Sequence, residues 1–189
     1  TGTGGVAVGS GALAANTTGS FNIAIGRATL DANTTGEQNT ALGLSSLGAN
    51  TTGSFNNALG VGALASNTTA SNNTAFGHNT LNANTTGTRN NSFGSASLDA
   101  NDTGSFNNAF GFNSLGANTT GEENVAMGDN AAAANTTGDK NTTIGTSSLA
   151  SNTTADNNTA VGYASLNANT TGGDNVAIGM DCMKVNTTG

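Results

Sequence analysis

A chain of 189 residues with a formal net charge of −7, only 8% charged and 4% aromatic side chains, and neither Pro nor Trp lacks the make-up of a conventional globular core. Its four basic residues, Arg27, Arg89, Lys140 and Lys184, stand too far apart to line a nucleic-acid groove. No stretch approaches the roughly 18 uninterrupted apolar residues of a membrane span, and no signal peptide is recognisable. The single Cys182 cannot form a bridge within one chain.

Richness in Asn, Thr, Gly, Ala and Ser could signal disorder, but strict phase argues against it. Residues 1–15 form a partial unit in which Val6-Ala7-Val8-Gly9 and Leu13 match later positions. From Asn16 to Val185 ten complete units follow, each opening on Asn with a constant period of 17, and residues 186–189 open another. No linker or shift in composition interrupts the series, so residues 1–189 are expected to form one repeat domain. The pattern starts and stops in mid-unit, which leads us to expect a piece of a longer fibre.

Counting each unit from its first Asn (Asn16, Asn33, Asn50 and so on), slots 2 and 3 are Thr-Thr except at Asp102, and slot 4 is Gly except at Ala70 and Ala155. Slot 7 is always Asn, beginning with Asn22, Asn39 and Asn56. Slot 9 is small, and slot 11 is always Gly, beginning with Gly26, Gly43 and Gly60. Slot 10 is always apolar: Ile25, Leu42, Leu59, Phe76, Phe93, Phe110, Met127, Ile144, Val161 and Ile178. Slot 15 is Leu30, Leu47, Leu64, Leu81, Leu98, Leu115, Leu149 and Leu166, with Ala132 and Met183 in the remaining units.

Two apolar slots five apart, then twelve apart, cannot follow a helical stripe. The spacing predicts two short strands per unit, slots 7–10 and slots 13–17, the second with 13, 15 and 17 on one face. Two strands and two turns per unit describe one coil of an all-β, parallel β-solenoid, in which each strand pairs with its equivalent one repeat on. The inward residues are then expected to be those of slots 10 and 15. The glycines of slots 4 and 11 are expected at positive φ, although Ala70 and Ala155 show that the first corner does not strictly need it. The Asn of slot 1 should make an Asx-type bond to nearby backbone, and the Asn columns of slots 1 and 7 should form amide ladders between coils.

Two large apolar side chains per coil are little return for the entropy lost in ordering a whole unit. Burial against identical chains is therefore expected, with the small residues of slots 9 and 17 allowing close approach and closed cyclic symmetry preventing open-ended growth.

Runs such as Asn175-Val176-Ala177-Ile178-Gly179 and Gly5-Val6-Ala7-Val8-Gly9 resemble the Val-Ala-Ile-Gly repeats in the heads of trimeric autotransporter adhesins. The unit as a whole, for example Asn33-Thr34-Thr35-Gly36-Glu37-Gln38-Asn39-Thr40-Ala41-Leu42-Gly43, is similar to repeats of bacterial surface and phage-tail-fibre-type proteins. The resemblance covers essentially the whole chain, with a longer unit here than in the autotransporter head. It implies a left-handed β-roll, a side-by-side homotrimer, and a rod outside the cell or on a virion.

Specific chemistry has thin support. His78 and Cys182 are single residues about six coils apart, so no nucleophile-base pair forms within one roll, and an enzyme is not expected. Acids gather near slots 5 and 6, at Glu37, Glu122, Glu123, Asp139, Asp156 and Asp174, but without the glycine pattern of calcium-binding rolls; they read as solvated turn residues, and neither metal nor cofactor is expected. The Thr columns invite comparison with ice-binding solenoids, yet adjacent Thr in a turn do not make a flat rank. The Asn-Thr-Thr triplets at Asn16, Asn33, Asn50, Asn67 and Asn84 have the form of glycan acceptors, although the turn role already explains them. Phe21, Phe55 and Phe106 in slot 6, with Leu44, Val61, Phe112 and Tyr163 in slot 12, are expected to be exposed, for packing between chains or for contact with a receptor. The expected function is that of an extracellular structural rod that spaces or presents binding surfaces, its partners being copies of itself and a cell-surface, matrix or glycan receptor. A filament wall is the alternative within the same fold, and ice recognition the alternative outside it.

Overall fold

The computed structural model describes residues 2–188; Thr1 and Gly189, the two ends of the expected domain, lie outside the described residues. Eleven three-residue strands stack into one parallel sheet in simple sequence order: β1 (Val6–Val8), β2 (Ile23–Ile25), β3 (Thr40–Leu42), β4 (Asn57–Leu59), β5 (Thr74–Phe76), β6 (Asn91–Phe93), β7 (Asn108–Phe110), β8 (Val125–Met127), β9 (Thr142–Ile144), β10 (Thr159–Val161) and β11 (Val176–Ile178). Each strand pairs with its equivalent in the following repeat, from Val6 with Ile23 to Ala160 with Ala177. The chain is thus a parallel β-solenoid with one coil per repeat and no helix among the described residues. Ten steps of about 4.8 Å make a rod on the order of 50 Å long.

Each coil has one strand, not the two expected. Slots 13–17 are a run of turns, because slot 13 and slot 15 both adopt left-handed backbone, with φ between 49° and 56° at every non-glycine residue. Slot 6 is left-handed too, at 54–64°. Alternating handedness lets the consecutive side chains of slots 14 and 15 both point inward, which a pleated strand forbids. Burial follows: Thr29 with Leu30, Ser46 with Leu47 and Ala63 with Leu64 are all fully enclosed. Holding leucine at positive φ costs roughly 1–2 kcal/mol per residue, so the strain recurs in nearly every coil.

The interior also differs from the expected one. The slot 15 leucines from Leu30 to Leu115, together with Leu149 and Leu166, are 0% exposed and form the apolar column. The slot 10 residues do not join them. Ile25, Leu42, Phe76, Ile144 and Ile178 are exposed, and Leu59, Phe93, Phe110 and Val161 are half-buried. A three-residue strand alternates about its middle residue, and that middle residue is the slot 9 Ala (Ser92 and Thr143 in two coils), which points in at 0% exposure. Slots 8 and 10 must then point out. Alanine faces inward because the roll is too narrow for a second large side chain opposite leucine. The leucine column is interrupted at Ala132, and the enclosed apolar residues fall into two groups that divide between Ala132 and Leu149, where slot 9 is Thr143.

Candidate functional site: two asparagine ladders and an outward apolar face

The rest of the interior is polar and paired almost throughout. In the slot 1 ladder, Asn50 Nδ2 donates to Asn33 Oδ1 at 2.8 Å and to the carbonyl of Gly53 in its own corner at 3.0 Å. In the slot 7 ladder, the backbone N–H of Asn39 donates to Asn22 Oδ1 at 3.0 Å, while Asn39 Nδ2 donates to the same Gly53 carbonyl at 2.8 Å. In most coils the slot 4 carbonyl thus receives one proton from each ladder, which ties the two columns together. Asn16, Asn22, Asn33, Asn39, Asn50 and Asn56 all take part. Among the described residues, only Asn169 Oδ1 and Asn186 Nδ2 are buried without a partner, both at the C-terminal end of the slot 1 column.

This network bears on the glycan acceptors. Asn33, Asn50, Asn67 and Asn84 are 0% exposed, and the Nδ2 a sugar would occupy makes two hydrogen bonds in each, as at Asn84 with Asn67 Oδ1 and Gly87 O, both at 3.0 Å. Asn16 is half-buried and donates to Gly19 O at 2.9 Å. A sugar at the interior positions requires the ladder to be broken. We expect Asn50→Ala, which leaves Asn33 Oδ1 without its donor and Asn67 Nδ2 without one of its two acceptors, to cost about 2–4 kcal/mol. Urea unfolding followed by circular dichroism measures this, and an unchanged midpoint would contradict the ladder's structural role.

The two corners use glycine for different reasons. Slot 11 glycines, including Gly26, Gly43 and Gly60, have φ of 123–147°, a region closed to side chains. Slot 4 glycines are not at positive φ, contrary to expectation; they are needed for close approach, since a Cβ on Gly19 would lie 2.6 Å from Asn16 Oδ1 and 2.8 Å from Asn33 Nδ2. In most coils the slot 2 and slot 3 N–H groups both point at one slot 2 carbonyl of the next coil, as Thr34 and Thr35 do at Thr51 O. Where slot 4 is Ala70 or Ala155 the methyl pries this open. The slot 2 bond lengthens to 3.3 Å at Thr68 and 3.2 Å at Thr153, against 2.8–3.0 Å elsewhere, and the N–H groups of Thr69 and Thr154 make no backbone bond among the described residues.

The slot 2 threonines donate their hydroxyls to the next coil, as Thr51 Oγ1 does to Thr68 O at 3.0 Å. The slot 3 threonines are exposed. Several slot 5 side chains form a further ladder: Glu37 N–H donates to Ser54 Oγ at 3.0 Å, and Asp139 N–H to Asp156 Oδ1 at 2.8 Å. Asp139 and Asp156 thus act as backbone acceptors, whereas Glu37, Glu122, Glu123 and Asp174 project into solvent. No group of three potential metal ligands occurs among the described residues. His78 and Cys182 are both half-buried or more open, and they lie in coils far apart along the rod. At slot 16, partial burial pushes the Asp99 carboxyl above its ordinary pKa, against hydrogen bonds from the Ala100 and Asp99 backbone that lower it.

What remains open is the outward face of the sheet. Slots 8 and 10 of all eleven strands carry only Val, Ile, Leu, Phe, Met, Thr and Asn, so not one of the 11 acids or four cations lies on it. At its middle, the rings of Phe76, Phe93 and Phe110 stack with centroids 5.0 and 4.8 Å apart. Phe21, Phe55 and Phe106 flank it at slot 6, where Arg89 lies 5.3 Å over the Phe106 ring; Leu44, Val61, Phe112 and Tyr163 flank it at slot 12. Hydrophobicity alone hides this face, because it places slot 10 in the interior. The signal was available in the invariably small slot 9, the one residue type a narrow roll accepts in the middle of a strand.

Fold and site together define a repeat β-solenoid with a polar-laddered interior and one charge-free face. Compared with family models, with curated proteins and with solved structures, the chain matches none.

Proposed function

We propose that the chain is a structural rod segment, working outside the cell or on a virion to space or present binding surfaces, and that copies of it pack side by side through the face formed by slots 8 and 10. The observation that carries this reading is a stripe free of charge along the whole sheet, apolar throughout slot 10, on a chain whose net charge is −7. Like-charged rods repel where their acids stand, mostly in slots 5, 6 and 16, and across slots 8 and 10 copies approach without opposing carboxylates. The stripe, about 50 Å long and roughly 10 Å wide, offers on the order of 500 Å² per copy, less than the ~800 Å² per partner of a stable pair. That favours a ring in which each copy meets two neighbours and the slot 6 and slot 12 side chains contribute. A trimer of left-handed rolls is the smallest arrangement of this kind, and it agrees with the adhesin-head resemblance. The lateral approach is assigned here to slots 8 and 10, since slot 9 points into the roll.

The Thr columns support the rod reading over ice recognition, because the slot 2 hydroxyls are spent on the rod's own carbonyls and a single exposed rank is left. The test is assembly. Sedimentation of the purified chain should give a closed oligomer, and Ile25→Asp with Ile144→Asp, at two exposed positions of the face, should convert it to monomer with the β-type circular dichroism retained. A stable folded monomer of the unaltered chain would overturn the proposal.

A further inference from the structure

The main chain of the rod is unchanged by a shift of one repeat, since every strand pairs with the next in the same way. Nothing in the backbone therefore distinguishes copies aligned coil for coil from copies slipped by one coil, about 4.8 Å. Only side chains on the shared face can remove that degeneracy. Slot 10 cannot do it alone, being apolar throughout. Slot 8 does vary, with Thr at four strands and Asn57 alone at β4, but only at β6 and β7 do two asparagines stand in succession, in the outward pairs Asn91 with Phe93 and Asn108 with Phe110. Asn91 Nδ2 donates to Asn108 Oδ1 at 2.9 Å, and the stack of Phe76, Phe93 and Phe110, with interplanar angles of 13° and 5°, forms a block three coils high beside them. One amide hydrogen of Asn91 is used in that bond, leaving its Oδ1 and both Asn108 amide hydrogens facing outward.

We infer that Asn91 and Asn108, backed by the phenylalanine stack, set the axial register in which identical chains lie side by side. The inference rests on the reading that copies meet through this face. In cyclic symmetry about an axis parallel to the rod, each coil sits level with its equivalents, so the open amides of one copy face the same amides of its neighbour. A slip of one coil sets Asn108 of one copy against Val125 of the next and leaves its amide desolvated without a partner. The device is that of a single polar residue fixing alignment in an otherwise apolar helical seam.

The experiment uses Cys182→Ala, a position equivalent to Ala63 and Ala131 in other coils, with Thr146→Cys beside the face to carry a spin label. Sedimentation reports assembly, and double electron–electron resonance between copies reports alignment. The expected result is one narrow distance for this background and additional distances, reflecting slips of about 4.8 Å per coil, for Asn91→Val with Asn108→Val, at unchanged oligomer mass. Asn91→Thr with Asn108→Thr, matching Thr142 and Thr159, should also broaden the distribution. A single narrow distance in both double variants, or a broad one in the background, overturns the register assignment while leaving assembly intact. Loss of assembly in both double variants likewise overturns it, because the asparagines would then hold the copies together and not merely align them. A monomeric background overturns the underlying reading itself.

Discussion

Leu64→Asp should remove about 5 kcal/mol or more of stability and melt the coils on either side of its own. Leu64 is 0% exposed in a column with Leu47 and Leu81, so truncation alone belongs with buried leucine losses of about 3–5 kcal/mol. The introduced carboxylate must in addition be desolvated in an interior whose polar groups are already paired with one another. A solenoid coil touches only its neighbours, so the damage spreads along the rod from one coil to the next. Urea unfolding should show a large drop in midpoint with a reduced slope as the rod divides, and an unchanged profile would refute the interior assignment of slot 15. The same chemical change at Ile25, on the outward face, should instead leave the coil intact. The pair separates the two apolar slots.

Gly111→Ala is expected to cost about 4 kcal/mol or more. Its φ of 135° lies where only glycine is comfortable, and a Cβ would stand 2.6 Å from both the carbonyl carbon and oxygen of Gly128 and 3.0 Å from the Asp129 nitrogen. Backbone strain in such a region costs roughly 1–3 kcal/mol, and the neighbouring coil must also move. That neighbour is backbone held by the Gly128 N–H bond to Phe110 O at 2.7 Å, so yielding means breaking part of the ladder. Thermal unfolding should fall by several degrees or more, and wild-type behaviour would mean that this corner is not the fixed point of the coil.

These two positions also show what could be read from residues alone. The period of 17, the parallel pairing of equivalents, the asparagine ladders and the glycine requirement of slot 11 follow from repetition, because identical residues at a fixed interval can satisfy themselves only by stacking. Direction was harder. Leu42 and Leu47 are both leucine, yet one is exposed and the other enclosed. Hydrophobicity cannot separate them, since the difference lies in which residue of a three-residue strand faces in. The left-handed backbone of slots 6, 13 and 15 was also hidden, because Phe, Arg, Glu and Leu are among the residues there and none of them favours positive φ.

Composition and period, then, determined that this chain winds into a stacked β-rod with amide-lined corners, since stacking lets equivalent asparagines at a fixed interval satisfy one another. Tertiary structure alone decided that leucine points in and its slot 10 counterpart points out. The cross-section of the coil leaves room for one large side chain: reversals of backbone hand at slots 13 and 15 bring leucine in, while the strand turns its small slot 9 residue inward and the other apolar column toward solvent or toward a second copy.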